Sequence, residues 1–77
     1  PLGPTGAERR ALEKEVTSIE RRLTKIIAMV ATLDERMASE EATDYQALTR
    51  MGVERNALIE EQNTIESRWL ELHELLG

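Results

Sequence analysis

Lys14, Arg21 and Lys25 follow one another at intervals of seven and four residues. Arg10 stands four residues before the first of them, and Thr17, Ser18 and Thr24 fall between. On a helix these spacings share one face. Lysine and arginine displace the counterions condensed on a polyanion, and hydroxyls donate to phosphate oxygens, so such a stripe suits a sugar–phosphate backbone. The candidate nucleic-acid contacts, to DNA or to ribosomal RNA, are therefore Arg10, Lys14, Thr17, Ser18, Arg21 and Lys25. An ordinary solvated face carries the same residue types. The net charge of −5 favours that plainer reading, and an aromatic content of 3% leaves almost nothing for base stacking. Both readings stand on the residues alone.

Other chemistry finds little to work with. His73 is the only histidine and there is no cysteine, so neither a thiolate metal site nor a disulfide is expected. Glu40, Glu41 and Asp44 cluster, but without the ligand number or the glycine of a calcium loop they read as a solvated acidic tip. No phosphate-cradling glycine loop and no H-E-x-x-H pair occurs. The chain is not expected to be an enzyme by itself or to hold a cofactor or metal. No apolar run approaches the ~20 residues of a membrane span, and the absence of cysteine fits a cytoplasmic origin.

The basic stripe needs a long helix to carry it, and the apolar pattern supplies one. Leu12, Val16, Ile19, Leu23, Ile26, Val30, Leu33 and Met37 alternate spacings of four and three without a slip. A 3.5-residue repeat of this kind keeps one stripe against a partner helix. The pattern lapses across Ala38–Asp44 and resumes with Leu48, Met51, Arg55, Leu58, Gln62, Ile65, Trp69, Leu72 and Leu76. A connection this short makes the two helices antiparallel. The expectation is an all-α fold, a two-helix antiparallel coiled-coil hairpin, forming a rod of roughly 46 Å. Residues 1–6 read as a disordered leader beginning with a tag-like scar. Helix 1 is expected at about 7–39, the loop at about 40–43 and helix 2 at about 44–76.

Local signals support these limits. Thr5-Gly6-Ala7-Glu8 has the form of a capping box, and Thr43-Asp44-Tyr45-Gln46 offers both Thr43 and Asp44 as caps for helix 2. Arg55 and Gln62 interrupt the second seam, a pattern that fixes register at some cost in stability. Trp69 falls on the seam opposite the start of helix 1. It is expected to close the open end of the hairpin against Leu12, Val16 and Ile19 rather than to serve as a stacking platform. Ile27, Met29, Val53, Ile59, Leu70 and Leu75 lie off the strict seam. They leave open a protein-interaction or oligomerisation module without nucleic-acid binding, with weak self-association as its simplest form.

Charge is unevenly divided. With Val16 at position a of the repeat, the outward positions of helix 1 carry no acid until Glu35, while Glu13, Glu15 and Glu20 flank the seam. Helix 2 holds Glu54, Glu60, Glu61, Glu66, Glu71 and Glu74 against Arg50, Arg55 and Arg68. The rod is thus expected to have one basic flank and one acidic flank.

Helix 1 with Glu15 and Ser18-Ile19, the Asp44-Tyr45 pair after a short acidic connection, and Arg68-Trp69 with Glu71-Leu72 near the end occur in a definite order. In that order they resemble the C-terminal coiled-coil domain of ABC-F ATPases of the Uup type, over roughly Arg9 to Leu76. The resemblance implies a cytoplasmic parent with two ATP-binding cassettes, acting on ribosomes during translation, with this hairpin as a nucleic-acid-binding appendage. ATP and magnesium would belong to the parent cassettes. Family members commonly carry a basic linker before the hairpin; here only Arg9 and Arg10 remain of one.

Overall fold

The protein is described by a computed structural model covering residues 3–39 and 43–77. Pro1 and Leu2 of the tag-like start, and the acidic Glu40 and Glu41 of the expected loop, lie outside the described residues. Two helices of 32 residues each, α1 (Gly6–Met37) and α2 (Tyr45–Leu76), pack against one another as an all-α hairpin. The molecule measures 60 × 15 × 14 Å. Each helix accounts for about 48 Å of the long dimension.

Helix α1 starts where Thr5 caps it: the Thr5 hydroxyl accepts from the Glu8 backbone N–H at 3.2 Å, and Thr5 itself is extended. The helix ends at Met37, two residues before the limit expected from the pattern. There the Ser39 N–H and hydroxyl both turn back onto the Arg36 carbonyl, at 3.2 and 2.7 Å. For α2 the structure decides between the two rival caps. Asp44 Oδ1 accepts from the N–H groups of Gln46 and Ala47, at 3.0 and 3.3 Å. A carboxylate suits this position because it meets both orphan N–H groups and the positive end of the helix dipole.

Every seam position named from the repeat is buried or half-buried. The core has two parts. Toward the tip, Ile26, Leu33, Met51 and Leu58 form a cluster backed by Met37 and Leu48. Toward the open end, Val16, Ile19 and Leu72 form another, backed by Leu12, Trp69 and Leu76. Ile65 packs on both. The half-buried Gln62 sits one turn before Ile65 and bonds to Glu66 within its own helix, at 3.0 Å. The division of the core therefore coincides with the polar interruption of the second seam.

Trp69 packs where the repeat puts it, at the open end against the cluster of Val16 and Ile19, but it is not the most buried residue there. The fully buried residue is Leu72. Trp69 is half-buried, with its indole N–H donating to Glu20 Oε2 at 3.2 Å and the His73 ring tilted against it at a centroid distance of 4.2 Å. A large ring with a polar N–H settles at the edge of so thin a core, where the N–H reaches a carboxylate and the ring still covers apolar surface.

Candidate nucleic-acid interface

The rod has two edges where the helices meet, and they are closed differently. Along one edge Arg22 spans to Glu61, Nε to Oε2 at 2.6 Å and Nη2 to Oε1 at 2.7 Å. On the same edge Arg68 spans to Glu15 in the same two-pronged way, at 2.7 and 3.1 Å, and reaches Glu71 of its own helix at 3.0 Å. These hydrogen bonds from arginine lower the pKa of Glu15 and of Glu61, against the smaller opposing effect of desolvation. They raise the pKa of Arg22 and of Arg68 correspondingly. Nearer the tip, Arg55 leaves its half-buried seam position to meet Asp34, at 2.7 Å. Arg9 fastens the open end by donating to the Leu76 carbonyl at 2.8 Å.

These arginines hold the hairpin together and are unavailable to a ligand without breaking it. The outward face of α1 is different. Arg10, Lys14, Thr17, Ser18, Arg21 and Lys25 are all exposed on α1. Lys14, Thr17, Ser18, Arg21 and Lys25 line one shallow groove; Arg10 lies a turn beyond it. Among the described residues no carboxylate lies within ion-pair distance of Lys14, Arg21 or Lys25. The structure thus brings together five of the six residues singled out from spacing and leaves their cations unneutralised.

Two details change the composition of this face. The Thr17 hydroxyl donates to the Glu13 carbonyl at 3.1 Å, and the Thr24 hydroxyl to the Glu20 carbonyl at 3.0 Å. A hydroxyl bonded back to its own helix has spent its proton, so Ser18 is the side chain left to donate to an anion. The second detail is Arg22, which lines the groove but was not singled out from spacing. Its guanidinium is held by Glu61, so it frames the groove without offering free charge. The repeat turns Arg21 outward and puts Arg22 beside the seam; which carboxylate Arg22 meets depends on where α2 lies.

The tip and the histidine offer less. His73 is exposed and in ring contact with Trp69. Among the described residues no group of three His, Cys, Asp or Glu side chains is placed to hold a metal ion. Among the described residues no helix is long and apolar enough to cross a membrane. No family model matches the chain, and no curated protein and no solved structure matches it either.

Proposed function

We propose that the hairpin is a non-catalytic accessory arm that contacts the phosphate backbone of nucleic acid through the outward face of α1. The observation that carries this reading is the separation of cations into two sets. Arg22, Arg55 and Arg68 are consumed in cross-helix pairs, whereas Lys14, Arg21 and Lys25 remain exposed and unpaired along one groove. A protein of net charge −5 that gathers three unpaired cations, Lys14, Arg21 and Lys25, along one groove presents a local positive field there, which is what a polyanion meets first. The contacts are to backbone, because the cations lie in a shallow groove on one helix and the face holds no aromatic ring for stacking.

The resemblance to the C-terminal hairpin of Uup-type ABC-F ATPases supports the same reading and supplies its setting. The parent would be a cytoplasmic ATPase working at the ribosome, with ATP and magnesium bound in cassettes of its own. In that setting a 60 Å rod extends the reach of the parent toward DNA or ribosomal RNA.

The test is a titration of duplex DNA and of structured RNA at low salt, with Lys14→Glu/Arg21→Glu/Lys25→Glu alongside. Binding by the native chain that falls steeply with salt and disappears in the triple variant is the expected result. No binding at low salt, even with a basic leader of the kind the family carries joined to Arg9, sinks the reading.

A further inference from the structure

The edge opposite the Glu15–Arg68 and Arg22–Glu61 pairs is open along its middle. There Leu23, Glu66, Trp69 and Leu70 line a hollow between the helices. Leu70 is 58% exposed, and Ile27, one turn beyond Leu23, is 60% exposed. Ile59 occupies the matching flanking position of α2 and is half-buried. Single exposed apolar residues are ordinary on any surface; here Leu70 lines one hollow with Leu23 and the chain's only tryptophan, and Ile27 follows Leu23 by one turn. Val53, by contrast, is an isolated outward residue.

The charges around this strip name its occupant. Glu20 and Glu66 border it, and among the described residues neither meets a cation: Glu20 accepts from the Trp69 N–H, and Glu66 from Gln62. Glu15, Asp34 and Glu61, the other acids bonded across the interface, each have an arginine. A second copy that laid the same strip against this one at the same height would set Glu20 and Glu66 against their own like. The basic face of a second copy offers no apolar side chains at Lys14, Thr17, Ser18, Arg21 and Lys25 to fill the hollow. A helix with leucine-like residues on one stripe and lysine or arginine beside it satisfies both requirements.

We infer that this edge is a docking surface for a basic amphipathic helix of another protein or segment, which lies along Ile27, Leu23, Trp69 and Leu70 with its cations against Glu20 and Glu66. Bound this way it makes a third helix against the pair, the packing by which two-helix hairpins grow into bundles. The surface is separate from the outward face of α1, so the inference does not depend on nucleic-acid binding.

Because Trp69 is the only tryptophan, its emission reports occupancy directly. The probe is an amphipathic Leu/Lys peptide of about five helical turns, compared with a Leu/Glu peptide of the same apolar pattern in the same buffer. The Leu/Lys peptide is expected to shift Trp69 emission to the blue saturably, and the Leu/Glu peptide to leave it unchanged. Leu70→Ser and Glu66→Gln each weaken binding about ten-fold, while Glu60→Gln, on an acid away from the strip, does not. Helical circular dichroism confirms that each variant is folded; Leu70 and Glu66 are exposed, so neither change removes a core contact. No shift with Leu/Lys, an equal shift with Leu/Glu, or full binding by Leu70→Ser overturns the inference. So does a blue shift that grows with protein concentration in the absence of peptide, which assigns the strip to a second copy.

Discussion

Arg22 grips both carboxylate oxygens of Glu61 across the helix interface, at 2.6 and 2.7 Å, and Arg68 repeats the arrangement with Glu15. Two-pronged pairs of this kind fix geometry better than single contacts do, because the planar guanidinium matches the carboxylate in orientation as well as in charge. Here they define one edge of the rod and, by taking up the arginines, leave the rest of the cations to the outside.

The pairs predict the acid limb of stability. Glu15 and Glu61 have folded pKa values below their ordinary value. Their stabilising contribution is therefore present above the unfolded carboxylate pKa of about 4.3. It is lost as pH falls through the lower, folded value. Thermal melts should be flat from neutrality to about pH 5 and fall below it. In Glu15→Gln/Glu61→Gln the melting temperature is lower at neutral pH, and the acid decline is shallower than in the parent. An unchanged acid limb would show that the pairs contribute nothing.

Leu72→Ala should cost about 2–5 kcal/mol, since the side chain is fully buried and its removal leaves a cavity. Trp69→Ala should cost less than the ~3–5 kcal/mol of a fully buried tryptophan, at about 2 kcal/mol, because the ring is half-exposed at the core's edge. Urea unfolding measures both. A loss at Trp69 larger than at Leu72 would restore the tryptophan to the centre of the packing.

Gly52→Ala should stabilise the hairpin by about 1 kcal/mol. Gly52 lies within α2, its φ is not positive, and a Cβ built there meets nothing within 4 Å. The substitution reduces the freedom of the unfolded chain and meets no opposing contact. Destabilisation by Gly52→Ala would mean that another molecule or segment approaches this backbone closely.

Asp44→Ala should cost about 1 kcal/mol by stripping the cap from α2, while Asp44→Asn should cost only a few tenths. Denaturant unfolding of the two variants separates loss of the cap from loss of charge. Equal costs would assign the effect to charge alone.

If phosphate contact is the function, the salt slope of binding divides the groove residues. Neutralising Lys14, Arg21 or Lys25 with Gln should each reduce the slope by about 0.9. Arg22→Gln, whose parent side chain is already committed to Glu61, should leave it nearly unchanged. A slope that responds to Arg22 as strongly as to Arg21 would show that the cross-helix pair opens on binding.

The apolar repeat alone determined the hairpin, both seams and the antiparallel order, because a 3.5-residue period sustained through each helix has one way to bury its stripe when the connection is short. It also placed Arg10, Lys14, Thr17, Ser18, Arg21 and Lys25 on one exposed face, since side-chain direction along a helix follows from position. What it left open depends on partners from the other helix or on competition for one hydrogen bond. Local competition for a hydrogen bond chose Asp44 as the cap and committed the Thr17 hydroxyl to its own helix, and neither choice is written in the repeat. Only the register of α1 on α2 set Arg22 against Glu61 and Arg68 against Glu15, so that one edge closed with charge and the other kept its apolar strip open. Trp69 shows the division most clearly: its place in the repeat put it on the seam, but the thinness of a two-helix core left it half-buried, with its N–H on Glu20.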